Sequence, residues 1–444
     1  MRTTVRKKSG KKISIVWLPY TFLTTYIMLT LVISMFGPIE YPNYTPERKF
    51  IVSLYVIMFL IITWFGMYGN SKYKTNNIKE KGGEKHRKVI SRISSIIKIV
   101  MVIKIMLLVS SIIKFGLPTF TTFSNTLARI YTDLHREEPV GNIYRQIDTF
   151  TTFLSDIAII GGLYVWRDLE TLIRFFLMLI LLVNLTYNFF YLGTQRILFT
   201  YVIYILMIYV VKTVRKRGAF RIRNVILVSL IALVVGFLFS AILSERLEYW
   251  GSSRPLTTRS GLAYNMEHPL LWLIPNDLRY QIITIMAYPT QGYYGLSLCL
   301  SMPFEWTYGL GASRGLNSIM SQIISVPNVI SATYPLRAEA IYGYSGLANW
   351  HTIFPWLASD LTFLGALLYM GFVALIYMKC WKQVIEYDNP ISFVLLTLLT
   401  IQYIFVPANN QLFIGRGSSM GIVLIFLIWL TQNKKLNFAG QYDA

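Results

Sequence analysis

The segment from residue 337 to residue 360 concentrates side chains that bind anions and transfer protons. It contains Arg337, Glu339, His351 and Asp360, with Asn349 and Thr352 around the histidine. A carboxylate or an imidazole can accept a proton from an attacking hydroxyl group, and a guanidinium group binds phosphate oxygens in a bidentate way. The segment therefore predicts a site of group transfer in which His351, Asp360 or Glu339 is the base. The simpler alternatives are a helix-terminal Asp360 and a merely buried or interfacial His351.

Arginine is the only long basic side chain between residues 244 and 357, where no lysine occurs. Its planar, permanently charged fork matches the oxygens of a diphosphate or a carboxylate. The alternative is that these arginines only pair with acids of the same region, such as Glu305 and Glu339. The arginines concerned are Arg246, Arg254, Arg259, Arg279, Arg314 and Arg337.

Arg196 and Arg416 each lie where a loop is predicted to turn into a helix, in the stretches 193–196 and 415–419. A helix N-terminus repels cations, so an arginine at this point is favourable when an anion joins it. Together with the long-loop arginines they form the predicted diphosphate-binding set, which is Arg196, Arg337, Arg416, Arg254 and Arg259.

The elements that position these residues are membrane helices. Hydrophobic residues make up 54% of the 444-residue chain and charged residues only 14%, against roughly 25% charged in soluble domains. The apolar residues form runs of about 20, the length that crosses a bilayer. The predicted fold is therefore an all-α polytopic membrane protein of about ten transmembrane helices, near residues 13–36, 50–68, 94–115, 149–166, 171–191, 195–211, 225–243, 358–378, 391–406 and 413–431.

The net charge of +21 is explained by topology, because the lysine and arginine clusters all fall between or beyond apolar runs. Loops rich in these residues stay cytoplasmic, and a nucleic-acid-binding face has no soluble fold to lie on. Both termini are then cytoplasmic. The expected parts are helices 1–7 (residues 1–243), a large folded outer loop that caps the site (244–357), and helices 8–10 with a cytoplasmic tail (358–444).

Local motifs in the second half of the chain resemble those of bacterial O-antigen or oligosaccharide repeat-unit polymerases, the Wzy-type proteins, whose superfamily includes the O-antigen ligases. The matching elements are Arg337, the Asn-x-aromatic-Thr-like stretch 349–352, and Asp360 ahead of Gly365. A turn ending at Arg196, followed by the basic loop 212–223, is similar as well. The chain differs at two positions: His351 stands where an aromatic residue is usual, and Thr362 where a glycine is usual.

The resemblance implies a glycosyltransferase of the outer face of the bacterial inner membrane. It would polymerise undecaprenyl-diphosphate-linked oligosaccharide repeat units, with Asn349 and Thr352 binding substrate. The expected partners are membrane lipid and, as the resemblance allows, a chain-length regulator protein. Signals for other chemistries are absent, since the sequence lacks a P-loop, H-E-x-x-H and G-x-S-x-G. The one acidic-x-acidic triplet, Asp168-Leu-Glu170, is predicted to face the cytoplasm, so no metal and no other cofactor is expected. The alternatives are an O-antigen ligase that transfers the glycan to lipid A core and, from another class, a flippase or transporter.

Overall fold

The computed structural model describes residues 12–13, 15–69, 84–116, 143–191, 196–249 and 262–441, and in these ranges the protein is predominantly helical. Arg254 and Arg259 of the predicted diphosphate-binding set lie outside the described residues. The first half of the chain forms α1 (Leu18–Phe36), α2 (Pro46–Tyr68), α3 (Glu84–Phe115), α4 (Ile143–Asp156), α5 (Thr171–Phe190), α6 (Arg196–Arg217) and α7 (Ile222–Tyr249).

The second half contains four shorter helices followed by three long ones. The shorter helices lie within the predicted outer loop, which is folded between residues 262 and 352. In chain order the seven helices are α8 (Asn276–Ala287), α9 (Gln291–Cys299), α10 (Arg314–Ile323), α11 (Tyr334–Tyr342), α12 (Ile353–Tyr387), α13 (Pro390–Ile404) and α14 (Arg416–Gln441).

The chain is a multi-pass membrane protein. Six of the described helices are long and apolar enough to cross a bilayer: Leu18–Phe36, Pro46–Tyr68, Arg87–Ile113, Thr171–Phe190, Arg196–Arg217 and Ile353–Tyr387. Shorter apolar helices occupy the other positions where the sequence predicts spans, at Thr149–Tyr164, Ile222–Leu238, Pro390–Ile404 and Arg416–Gln432. The all-α membrane fold agrees with the prediction, while the count of ten spans stays a prediction.

Several helix ends differ from the sequence-based boundaries. Helix α3 begins at Glu84, ten residues before the predicted 94, and α12 covers Ile353–Tyr387 instead of 358–378. Polar and charged residues extend α3 at its start and α12 at its end beyond the apolar run, which a hydropathy pattern does not register. The residues added at the start of α12, 353–357, are apolar and fall within the predicted outer loop. Helix α4 continues through a π-helical turn, Ile157–Gly161, into a last helical stretch at Gly162–Tyr164.

Helices α2 and α12 pack closely through small residues. A Cβ atom built on Gly66 would lie 2.3 Å from the Gly371 carbonyl oxygen and 3.0 Å from the Ala374 Cβ. Small residues let two membrane helices approach until their backbones touch. This contact fixes α12, which carries Asp360, against the first half of the chain.

Two short antiparallel sheets join distant segments at the two ends of the bundle. Strand β1 (Lys12–Ile13) pairs with β3 (Phe220–Arg221), and β2 (Ile39–Glu40) pairs with β4 (Ala263–Tyr264). Strand β1 precedes α1 and β2 follows it, so the two sheets lie at opposite ends of that helix. The second sheet ties the α1–α2 connection to the segment that contains α8–α11.

Helix α12 is interrupted at Thr362, whose backbone has φ 62° and ψ 168°. This left-handed conformation is populated almost only by glycine and is strained for a β-branched residue. The Thr362 Oγ1 accepts a hydrogen bond from the Gly365 N–H at 3.3 Å, so the threonine caps the second part of the helix. Glycine, which is usual here in the family that the motifs resemble, would adopt this backbone without strain.

Candidate functional site

Arg416 begins α14, as the sequence predicts, and it is held by two neutral side chains of α10. Its Nε donates to the Ser318 Oγ at 2.8 Å, and its Nη1 donates to the Gln322 Oε1 at 2.7 Å. Among the ion pairs of the described residues none involves Arg416. The guanidinium is therefore fixed in direction while its charge is not neutralised by a carboxylate.

Helices α10 and α14 touch near their N-termini through two glycines. A Cβ atom on Gly315 would lie 2.3 Å from the Gly415 carbonyl oxygen and 2.2 Å from the Ser419 Oγ. Ser313 caps α10 through a 3.1 Å bond from the Leu316 N–H, and its hydroxyl also lies 3.1 Å from the Ser419 Oγ. Arg314, the first residue of α10, lies over the Trp356 ring at 5.7 Å. Two helix N-termini, each beginning with an arginine, therefore converge.

Asp360 anchors the loop that leads into α10. Its Oδ1 accepts hydrogen bonds from the Thr307 hydroxyl and, at 2.9 Å, from the Gly309 N–H, and its Oδ2 accepts from the Ala312 N–H at 2.7 Å. The other side of the loop is held by the Asn410 Nδ2, which donates to the Ala312 carbonyl oxygen at 2.6 Å. Asp360 thus sets the position of α10, and with it the two side chains that hold Arg416.

Arg337 of α11 has a carboxylate partner. Its Nη2 lies 2.7 Å from the Glu305 Oε1, and its Nη1 donates to the Pro303 carbonyl oxygen at 3.0 Å. The guanidinium also lies over the Tyr334 ring at 5.5 Å. These contacts correspond to the simpler alternative from the sequence, in which a loop arginine pairs with an acid of the same region.

His351 is 1% exposed and packs against the segment that contains α8–α11. Its ring lies edge-on to Tyr344, with centroids 5.0 Å apart, and a Cβ atom on Gly295 would lie 2.7 Å from its Nδ1. Burial lowers the pKa of His351 to about 4, and the Ser345 backbone acts weakly in the opposite direction without a hydrogen bond of good geometry. The ring is neutral near pH 7 and is enclosed by protein.

The other residues of the same segment differ in exposure. Thr352 is fully buried, and its hydroxyl has no hydrogen-bond partner in the described part of the chain. Asn349 is half-buried. Glu339 is also half-buried; its Oε2 accepts from the Gly346 N–H at 2.9 Å, and the Oε1 makes no hydrogen bond with the described residues. Of the two predicted carboxylate bases, Asp360 uses both oxygens in hydrogen bonds, whereas Glu339 keeps its Oε1 available.

Arg196 begins α6, as predicted, and lies near an acid that sequence reasoning did not select. Asp156, the last residue of α4 before the π-helical turn, is close enough to interact electrostatically with Arg196 and Tyr204. A Cβ atom on Gly421 of α14 would lie 3.3 Å from the Asp156 Oδ2. A carboxylate within an apolar run is a signal that could have identified Asp156, because such residues in membrane helices are often functional.

The structure thus links Asp360 and Arg416 through α10, and Arg196 and α14 through Asp156. Arg337 joins the first group because the Ser359 Oγ, beside Asp360, accepts from the Tyr334 N–H at 3.0 Å. Arg314 is an addition to the predicted set. In the described ranges no group of three or more histidine, cysteine, aspartate or glutamate side chains is arranged to hold a metal ion. Comparisons of the chain with protein-family models, with curated proteins and with solved structures give no match.

Proposed function

We propose that the protein is a membrane glycosyltransferase that extends a polyprenyl-diphosphate-linked oligosaccharide on the outer face of the bacterial inner membrane. The observation that carries the proposal is the convergence of the α10 and α14 N-termini, where Arg314 and Arg416 begin the two helices and Arg416 has only neutral partners. An anion is favoured where an arginine begins a helix, because the helix N-terminus is itself positive. Asp360 holds the loop just before α10, whereas Arg416 has no carboxylate partner among the described residues, and a diphosphate would supply that anion.

In this reaction the acceptor hydroxyl attacks the anomeric carbon of the donor saccharide. A carbon–oxygen bond forms there, the bond to the diphosphate oxygen breaks, and the leaving diphosphate gains negative charge. Arg416 and Arg314 would stabilise that charge as it develops, an effect that is stronger in a site shielded from water. Glu339 would take the hydroxyl proton, because its Oε1 makes no hydrogen bond with the described residues.

Asp360 supports the site in this proposal without touching substrate. Both of its carboxylate oxygens hold the loop between residues 307 and 312. Its contribution is the fixed position of α10, since a small displacement of a charged group lowers its effect on the transition state. Arg337 would act in a comparable way, through Glu305 and Pro303.

The direct test is a polymerisation assay with the purified full-length protein in detergent or nanodiscs. Incubation with a lipid-linked repeat unit should yield a ladder of longer lipid-linked products. Glu339→Gln, which keeps the acceptor for the Gly346 N–H, should give no ladder at normal protein levels. A competent substrate that gives no ladder with the unmodified protein would refute the enzyme proposal.

A transport function is the second candidate, and one observation favours it. Lys104 of α3 is 8% exposed, and Asp156 interrupts the apolar run of α4 beside a π-helical turn. Charged residues inside membrane helices often mark ion pathways. Under this alternative, Asp156→Asn would abolish transfer of a labelled lipid-linked saccharide between the leaflets of proteoliposomes, whereas the unmodified protein would not lengthen it.

A further inference from the structure

An open cleft of about 440 Å³, called the cavity below, lies where α1 ends and α2 begins. Its volume falls in the range of small-molecule binding sites, roughly 300–1,000 Å³. The cavity combines one acid, two basic side chains and aromatic rings. The residues that matter below are Phe36, Glu40, Tyr41, Tyr44, Lys49 and His268.

The walls of this cavity are fixed by contacts outside it. Glu40 lies in β2, which pairs with β4, and its Oε1 accepts from the Asn265 Nδ2 at 3.1 Å. The Tyr41 ring stacks on Tyr294 with centroids 5.2 Å apart. Lys49 donates to the Met35 carbonyl oxygen at 2.8 Å and lies 5.4 Å from the Tyr44 ring centroid. A ligand would therefore meet polar groups that are already oriented.

The cavity offers hydrogen-bond donors and acceptors together. The His268 Nδ1 accepts from the Leu270 N–H at 3.3 Å, so in the neutral ring the Nε2 carries the hydrogen and donates. The ammonium group of Lys49 has further hydrogens beyond the one bonded to Met35, and Glu40 has a second carboxylate oxygen. Sugar hydroxyl groups need both kinds of partner, because each donates and accepts.

We propose that this cavity binds the saccharide part of a membrane-anchored glycolipid. Glu40 disfavours a phosphate group here, whereas the tyrosine rings and the 71% exposed Phe36 at the end of α1 suit a ligand that is partly apolar and anchored in lipid. That the glycolipid is a substrate of the transfer reaction rests on the proposed function.

The cavity is also connected to the segment around residue 351. Tyr294, which stacks on Tyr41, lies edge-on to Tyr344 at 5.0 Å, and Tyr344 in turn contacts His351 at 5.0 Å. A continuous row of rings thus runs from the cavity to the predicted substrate-binding segment. The role of His351 in this arrangement is to form the buried end of the row.

The test measures saccharide binding to the full-length protein in nanodiscs, separately from polymerisation. The probe is the repeat-unit oligosaccharide released by mild acid from the lipid-linked pool of the same cells. Glu40→Gln keeps an acceptor for Asn265 but loses the charge, and should weaken binding about tenfold, the effect of losing one charge-assisted hydrogen bond. His268→Ala is the second variant, should Glu40→Gln fold poorly. Glu47→Gln, in the exposed first turn of α2, is the matched control and should bind normally.

The outcomes separate the cavity from the transfer reaction. Inorganic pyrophosphate should not compete with the saccharide. Absence of binding, equal binding by all variants, or displacement by pyrophosphate would each overturn the assignment, even where the unmodified protein forms a ladder. Binding that depends on Glu40 and His268 without a ladder would retain the cavity and refute the transfer reaction.

Discussion

Arg416 and Arg337 have the same side chain and lie on the same side of the bundle, but their surroundings differ. Arg337 is paired with Glu305 and supported by the Pro303 carbonyl and the Tyr334 ring. Arg416 is oriented by a serine and a glutamine that carry no charge. A carboxylate partner neutralises the charge of an arginine, whereas neutral partners leave that charge available to an anionic ligand. The difference separates a tethering arginine from one suited to anion binding.

The largest effect is expected at Arg416. Arg416→Lys should reach the membrane at normal levels and reduce polymerisation about a hundredfold, in the range for removal of one preorganised charge-stabilising donor. Lysine keeps the charge but lacks the planar fork that binds two phosphate oxygens. The measurement is product length on gels and the rate of the purified variant. Arg48→Lys, at an arginine in the first turn of α2 that donates to the Asn43 carbonyl oxygen, is the control. A normal ladder from Arg416→Lys would contradict the diphosphate assignment.

Arg337 tests the other side of the comparison. Arg337→Glu should lower the thermal unfolding temperature and the chain length together, because it places two acids side by side. The double variant Arg337→Glu with Glu305→Arg should restore part of both if the pair only tethers the segment, because the contacts of Arg337 with the Pro303 carbonyl and the Tyr334 ring stay lost. Glu305 is half exposed, so the pair itself should contribute only about 0–1 kcal/mol to the free energy of unfolding. Restored stability without restored chain length would instead place Arg337 in contact with substrate.

Asp360 links the two arginines and should show an intermediate effect. Asp360→Asn removes the charge and one of the oxygens that hold the loop before α10, and a hydrogen bond to a charged group contributes about 1.5–3 kcal/mol. The variant should unfold at a lower temperature and make shorter products with substrate affinity nearly unchanged. A loss of rate with unchanged unfolding temperature would mean that Asp360 acts on the substrate directly.

The positions of the apolar helices could be predicted because their runs of about 20 residues match the bilayer thickness. The helix starts at Arg196 and Arg416 could also be predicted, because glycine-containing stretches precede or include them. The partners of Arg416 and Arg337 could not be predicted, since Ser318 lies 98 positions from Arg416 and Glu305 lies in the loop between α9 and α10. The interruption at Thr362 and the π-helical turn after Asp156 lie within apolar runs, where hydropathy gives no signal of a change in helix geometry.

His351 gives a pH-dependent prediction for stability. Its pKa of about 4 in the folded protein lies below the usual 6.5, so between these values the unfolded chain binds more protons. Burial of the neutral ring therefore destabilises the protein as the pH falls from about 6.5 towards 4, by up to about 1.4 kcal/mol per pH unit. His351→Phe should remove this dependence in thermal unfolding between pH 7 and pH 5.

A Phe or Tyr variant that still polymerises would assign the position to aromatic packing, and total loss of activity with intact folding would assign it to catalysis.

The smallest effect on chain length is expected at Thr362, beside Asp360. Its φ of 62° is costly for threonine by about 1–3 kcal/mol, but its hydroxyl also caps the second part of α12. Thr362→Gly relieves the strain and loses the cap, which costs only about a few tenths of a kcal/mol when glycine is the replacement, so the variant should be more stable by about 1–2 kcal/mol. Thr362→Val keeps the strain and loses the cap, and should unfold at a lower temperature than either the unmodified protein or the glycine variant.

Because Thr362 is exposed and Asp360 holds α10 from the preceding turn, chain length should be unchanged in the glycine variant. Thermal unfolding of the two variants in the same detergent, followed by the polymerisation assay, measures both quantities. A valine variant as stable as the glycine variant would show that the interruption of α12 costs nothing at this position, and altered chain length in the glycine variant would show that it helps to hold Asp360.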